Sequence, residues 1–152
     1  MLVGVISDTH GLLRPEALVA LAEVEHILHA GDVGNIEILD ELKKIAPVTA
    51  IRGNVDVYGD CAKLPATEMV ELSGRFFYLV HSVHDLDIDP KAAGVDVVVS
   101  GHSHKPLVET KKGVMYLNPG SAGPRRFSLP VSVALVTVGE GGVEARVVGL
   151  EY

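Results

Sequence analysis

Three short apolar runs, Leu2 to Ser7, His26 to Ala30 and Val48 to Ile51, alternate with two stretches of helical periodicity, and this alternation constrains the fold more than any other feature. A βαβαβ opening implies neighbouring parallel strands joined by right-handed crossovers. The first helix is expected to begin near Pro15, a residue suited to the first helical position, and to run through EALVALAEV. The second, IEILDELKKIA, is expected after a cap at Asn35, with Ile36, Leu39 and Leu42 recurring on one face. The rest of the chain changes character. Glu68 to Leu72 with Arg75 to His81, Val108 to Thr110 with Val114 to Asn118, and Val131 to Val138 with Val143 to Leu150 each flank a glycine-bearing turn and read as hairpins. Asp96 to Ser100 contains the continuous apolar run of a strand buried on both faces. The fold class is therefore α/β, a β-sandwich of two sheets flanked by helices. No linker, repeat or low-complexity segment divides the 152 residues, so residues 1–152 are expected to form one domain.

Composition removes several classes of function. With 47% apolar and 22% charged residues, disorder is excluded. The 13 basic and 20 acidic residues give a net charge of −7, which disfavours bulk nucleic acid as a partner and leaves a small phosphorylated substrate open. Cys61 is the sole cysteine, so no internal disulfide forms, and its neighbours Ala62 and Lys63 match no zinc pattern. The opening MLVGVISD reaches Asp8 without a basic leader or a small-residue cleavage site, and no apolar run approaches the length of a membrane span. A cytoplasmic protein with no membrane association is expected. A mean hydropathy of +0.30 is compatible with a homo-oligomer.

Polar residues follow the strands in a repeated way: Asp8-x-His10, Gly31-Asp32, Gly53-Asn54, His81 and Gly101-His102-x-His104. In open α/β sheets ligands collect beyond the carboxyl ends of the strands, so these loops have a reason to converge. Each motif alone is compatible with an ordinary polar turn. Together they bring imidazole, carboxylate and amide oxygen into one place with no thiolate, a donor set suited to manganese, iron or zinc rather than calcium. Seven donors exceed the three protein ligands of a single catalytic zinc. They suit two ions sharing a bridging carboxylate, the arrangement that polarises phosphoryl oxygens and lowers the pKa of a bridging water.

As an ordered set these motifs resemble the calcineurin-like metallophosphoesterases. The segments Gly53-Asn54-Val55-Asp56 and Asn118-Pro119-Gly120-Ser121 are similar to those of the small bacterial and archaeal phosphodiesterases, which are related in fold to the retromer subunit Vps29. The resemblance implies a four-layer α/β/β/α sandwich. It also implies two divalent metal ions, with manganese the first choice and iron, zinc, nickel or magnesium the alternatives. One ion would be held by Asp8, His10, Asp32 and His104, the other by Asp32, Asn54, His81 and His102, with Asp32 as the bridge and Asp32, Asn54 and His102 counted as catalytic. The implied activity is hydrolysis of small phosphodiesters by attack of a metal-bound hydroxide on phosphorus. A phosphomonoesterase or protein phosphatase with the same metals, and a Vps29-like non-catalytic binding module, are the alternatives. Larger members of the family carry a general-acid histidine after the Gly-Asn pair, whereas this chain has Val55, which implies slow turnover of poor leaving groups.

The neighbouring residues carry further expectations. Asn118, Ser121 and Arg125 are candidates for substrate contact, the first two equally for a turn or a supporting shell, and Arg126 shares the candidacy of Arg125. Asp56 is expected to orient a neighbouring loop or a metal-bound water. Arg52 is expected in a strand-end salt bridge, His29 as a buried hydrogen-bonded residue, His26 at the surface, and His84 outside the core of the site.

Overall fold

The βαβαβ opening folds as its alternation requires. In the computed structural model, which describes residues 1–151, β1 (Leu2–Ile6), α1 (Pro15–Ala20), β2 (His26–His29), α2 (Glu37–Lys43) and β3 (Val48–Ala50) follow in order. β1, β2 and β3 pair in parallel. The expected hairpins are β4 (Thr67–Leu72) with β5 (Arg75–Val80), β7 (Leu107–Lys111) with β8 (Val114–Asn118), and β9 (Ser132–Gly139) with β10 (Gly142–Gly149). The lone strand is β6 (Val97–Val99), which pairs in parallel with β5 on one side and β8 on the other. Two five-stranded sheets result, β10-β9-β1-β2-β3 and β4-β5-β6-β8-β7.

Side-chain alternation sorts the apolar residues into layers. Val3 and Val5 of β1 and Leu28 of β2 point into the space between the sheets, against Phe77, Leu79, Val97 and Val99. Ile6 and Ile27 point the other way and are covered by Ala17 and Leu21 at the first helix and Ile38, Leu39 and Leu42 of the second. The outer face of the second sheet, with Tyr78, Val80 and Val98, lies under Val95, Leu86 and Ile88. The sandwich therefore has the four expected layers. Its fourth layer is a 3₁₀ turn at Val83–Asp85 and the loop beyond it, not an α-helix. Asp85, Asp87 and Asp89 alternate with Leu86 and Ile88, and Pro90 follows, which gives no apolar stripe of helical period.

Both α-helices are shorter than their apolar patterns. The first ends at Ala20 although Leu21 and Val24 remain buried, because the chain must leave the helix for the Glu25 N–H to reach the Leu2 carbonyl at 2.8 Å. Burial, which periodicity reports, continues past the helical hydrogen bonding. The second begins at Glu37 with its N-cap at Ile36, not at the expected Asn35; the Asn35 side chain still reaches the helix entrance, its Oδ1 accepting the Glu37 N–H at 3.0 Å.

Candidate metal centre

Five of the seven candidate donors sit on residues with left-handed backbone. Asp8, His10, Asp32, His102 and His104 have φ of 56°, 47°, 55°, 70° and 62°. Such φ values are uncommon outside glycine, though Asp and His tolerate them better than most, and they persist where the surroundings over-determine them. Here neighbouring loops lock one another. The N–H groups of Asp8, His10 and Gly11 donate to the carbonyls of Gly31, Asp32 and Val33 at 3.0, 2.9 and 2.9 Å, and Gly101 N–H donates to the His81 carbonyl at 2.9 Å. Two glycines permit the close approach. A β-carbon at Gly53 would fall on the Asp32 carboxylate, and one at Gly101 would fall on the Ser7 hydroxyl and Asp8 carboxylate.

The two carboxylates are held by the same device. Ser7 Oγ donates to Asp8 Oδ2 at 2.7 Å and the His102 N–H donates to the same oxygen at 3.1 Å, leaving Oδ1 turned into the cleft. The Val55 N–H donates to Asp32 Oδ1 at 3.0 Å, leaving Oδ2 turned inward. Each residue thus spends one oxygen on position and presents the other. Facing Asp8 Oδ1 are His104 Nε2 at 3.3 Å, His10 Nε2 at 3.7 Å and His81 Nε2 at 3.8 Å. Facing Asp32 Oδ2 are His81 Nε2 at 3.2 Å and His10 Nε2 at 3.5 Å. Burial disfavours the charged form of Asp32, but the His81 imidazole 3.2 Å away and the Val55 N–H outweigh it and hold the pKa at about 2. The carboxylate is ionised at neutral pH.

The imidazoles converge on these oxygens from the second half of the chain and from the first loop. His81 Nδ1–H donates to the Ala30 carbonyl at 2.7 Å, which fixes the ring and turns Nε2 toward the carboxylates. Burial works against the charged imidazolium of His81, yet the Asp32 carboxylate 3.2 Å away, the Ala30 carbonyl and the negative charge of Asp8 raise its pKa. Burial lowers the pKa of His104; Asp8 opposes this, and the positive charge of Arg126 adds to the lowering. His10 lies against His104 and His81 against His102, both with ring centroids 5.3 Å apart. His102 Nδ1 and Asn54 Oδ1 are 3.3 Å apart at the exposed side of the group. All seven candidate donors are thereby brought together.

The other residues divide between the cleft and its supports. Asn118 is buried and its amide is fully committed: Nδ2 donates to the Gly101 carbonyl and Ser103 Oγ at 3.0 and 3.1 Å, and Oδ1 accepts the Gly120 N–H at 2.9 Å. Ser121 is buried and its hydroxyl donates to the Asp8 carbonyl at 3.1 Å. Both stand behind the donor loops, the supporting place foreseen as the alternative to substrate contact. Asp56 is buried and accepts the N–H groups of Val33, Gly34 and Gly53 at 3.1, 2.9 and 2.8 Å, tying the β2 and β3 loops together as expected. Arg125 and Arg126 lie on an exposed loop, and Arg126 is the one whose charge reaches His104. Among the described residues Arg52 makes no salt bridge; its guanidinium donates to the Leu64 carbonyl at 2.6 Å. His29 is fully buried between Thr9 Oγ1 at 3.0 Å and the Gly31 N–H at 3.2 Å, and burial lowers its pKa to about 4. His26 is half-buried and pairs with Thr49 Oγ1 at 2.8 Å, not free at the surface. Sequence reasoning missed Ser7, whose only signal was a hydroxyl beside Asp8 at the end of an apolar strand.

A cation fits this arrangement. Asp8 Oδ1, His10 Nε2 and His81 Nε2 are buried and have no hydrogen-bond partner among the described residues. Buried polar atoms without partners are rare because each costs about 1–3 kcal/mol. The donor atoms of Asp8, His10 and His104 lie within 4.8 Å of one another, as do those of Asp8, Asp32 and His81. Among the described residues no lysine or arginine lies within 4.0 Å of either carboxylate, so imidazoles are the only basic side chains that close to them.

Comparison with known proteins agrees with this chemistry. Residues 1–141 match the calcineurin-like phosphoesterase superfamily domain. A protein of Methanocaldococcus jannaschii described as a probable metallophosphoesterase is 37% identical over 164 residues, spanning 99% of this chain and 82% of that protein. The structure of an archaeal phosphodiesterase superposes with a TM-score of 0.82 at 26% identity, covering 99% of this chain and 100% of that one. Vps29 of Entamoeba histolytica, solved with zinc, shares the fold with a TM-score of 0.76 at 23% identity, covering 99% and 100% of the two chains. The chain belongs to the calcineurin-like phosphoesterase superfamily. That family is one of hydrolases using divalent metals, so the resemblance carried by the strand-end motifs holds.

Proposed function

We propose that the chain hydrolyses small phosphodiesters at a centre of two divalent metal ions, with manganese the first choice. Asp8, His10, Asp32 and His104 are assigned to one ion and Asp32, Asn54, His81 and His102 to the other. The observation that carries this reading is the set of buried atoms of Asp8, His10 and His81 that face one another and have no hydrogen-bond partner among the described residues. When bound, two such ions supply charge stabilisation at phosphoryl oxygens and a nucleophilic water at neutral pH.

The chain's own residues do the rest. Asp32, between His10 and His81, is the carboxylate assigned to both ions; it stays ionised. The Ala30 carbonyl keeps the Nδ1 proton of His81 and leaves Nε2 for coordination. Arg126 and Arg125, on the exposed loop, are the cations assigned to the anionic substrate. Val55 contributes its backbone N–H to Asp32 and offers no proton to a leaving group, so esters of good leaving groups should turn over fastest. The diester preference is supported by the likeness to the archaeal phosphodiesterase.

The test is to remove metal from the protein, restore manganese, and measure metal per chain with the rates on an activated phosphodiester and its monoester counterpart. About two ions per chain and faster diester turnover are expected. Faster monoester turnover would make the protein a phosphomonoesterase. No metal uptake would leave a binding module on the same fold.

A further inference from the structure

The open cleft beside the candidate centre, about 770 Å³ and lined by Asn54 and His81, does not end at His102. Past Ser82, His84 and His102, which line both spaces, it is adjoined by a second cavity of about 300 Å³. The fold explains the second space. The 82–95 segment covers the outer face of the second sheet over Tyr78, Val80 and Val98, and Tyr116 of β8 is only half-buried at the margin of that cluster. Where the cover stops, Tyr116 is left at the base of a hollow bounded by Pro106 and Leu107, while the Leu117 side chain turns into the core between the sheets.

A hollow that is apolar at Pro106, Leu107 and Tyr116, has Lys105 and Lys111 in its walls and shares residues with a reaction cleft is suited to a group attached to the reacting atom. The volume is at the small end of ligand pockets, enough for one ring and too little for a whole substrate. Tyr116 offers an aromatic ring, with Lys111 Nζ 5.4 Å from its centroid on one side, and Leu107 an apolar edge, surfaces that gain by burying a ring and gain little from a methyl group.

Resting on the proposed phosphodiester reaction, we propose that this cavity receives one ester substituent of the substrate and selects a ring-sized apolar or aromatic group there. The substrate class is then aryl-type or other ring-bearing phosphodiesters, with dialkyl esters disfavoured.

Metal-loaded protein titrated by calorimetry with phenylphosphonate and methylphosphonate tests the selection. Phenylphosphonate should bind about tenfold more tightly, in keeping with the apolar surface of one ring. Leu107→Asp changes an exposed side chain on an edge strand, so the fold should survive. It should remove the preference while leaving methylphosphonate within about twofold. Equal affinity of the two ligands for the unchanged protein, or an unchanged preference in Leu107→Asp, overturns the proposal. In metal-free protein phenylphosphonate should still shift the amide NMR signals of Leu107 and Tyr116. Silence there sinks the pocket even if diesters are hydrolysed; shifts there without any diester turnover sink the proposed reaction and leave the pocket standing.

Discussion

The two sides of the candidate centre are held in different ways. On the enclosed side Asp8 and His104 are buried, His10 is half-buried, and Asp8 is fixed by both the Ser7 hydroxyl and the His102 N–H. On the open side Asn54 and His102 are exposed and their side chains meet chiefly each other, at 3.3 Å. Asp32 and His81 lie between, buried and locked to Val55 and Ala30. The difference teaches that one centre can be rigid where it must hold charge and accessible where a substrate must enter. A buried carboxylate costs several kcal/mol unless it is met by charge or hydrogen bonds, so the enclosed side is where a cation returns most.

Removing the shared carboxylate should have the largest effect. Asp32→Ala is expected to lower diester turnover by about a thousandfold or more and to reduce bound metal from two ions to one or none, read by elemental analysis beside the rate. Retention of both ions would break the view that Asp32 joins the two sides. Next in size is the contrast between the sides. His104→Ala should lose metal together with about 2 kcal/mol or more of stability, since a buried carboxylate loses a neighbour. His102→Ala should leave the melting temperature nearly unchanged and lower turnover about a hundredfold. Equal destabilisation by both substitutions would erase the distinction.

Acid should then weaken the enclosed side through His29, packed behind Thr9. Above pH 6.5 folded and unfolded chains both hold a neutral imidazole there, and nothing changes. Below it the unfolded chain takes a proton that the folded chain refuses until about pH 4, so stability falls as pH falls. The expected loss across that window is about 3 kcal/mol, measurable by urea unfolding at several pH values, and His29→Gln should flatten the slope. The smallest effect belongs to Val55. Its backbone N–H holds Asp32 while its side chain is exposed, so Val55→Ala should change diester turnover by less than about twofold. A large loss would give the side chain a role that the backbone contact does not explain.

Much of this architecture can be read in the chain before it folds. The ten strands, the parallel opening and the three hairpins follow from alternation, apolar runs and turn residues, and the seven donors follow from where those strands stop. Element ends were less legible. The first helix stops at Ala20 because Glu25 must bond Leu2, a partner 23 residues away that no local window contains. The fourth layer of the sandwich is likewise a turn and a loop, since burial by Leu86 and Ile88 requires no helix.

The sequence by itself determined which residue types arrive at the strand ends, because apolar period and turn chemistry are local properties. Only the tertiary structure decided which polar atoms remain available there. Asn118 bonds Gly101 across 17 positions and Ser121 bonds Asp8 across 113, and those bonds remove both from the cleft. The same long-range packing leaves Asp8 Oδ1 without a hydrogen-bond partner among the described residues, while the His102 N–H, 94 positions away, holds its second oxygen. Hydrogen-bond commitment is a matter of three-dimensional neighbours, each group having few bonds to give, and the order of residues along the chain does not specify how they are shared.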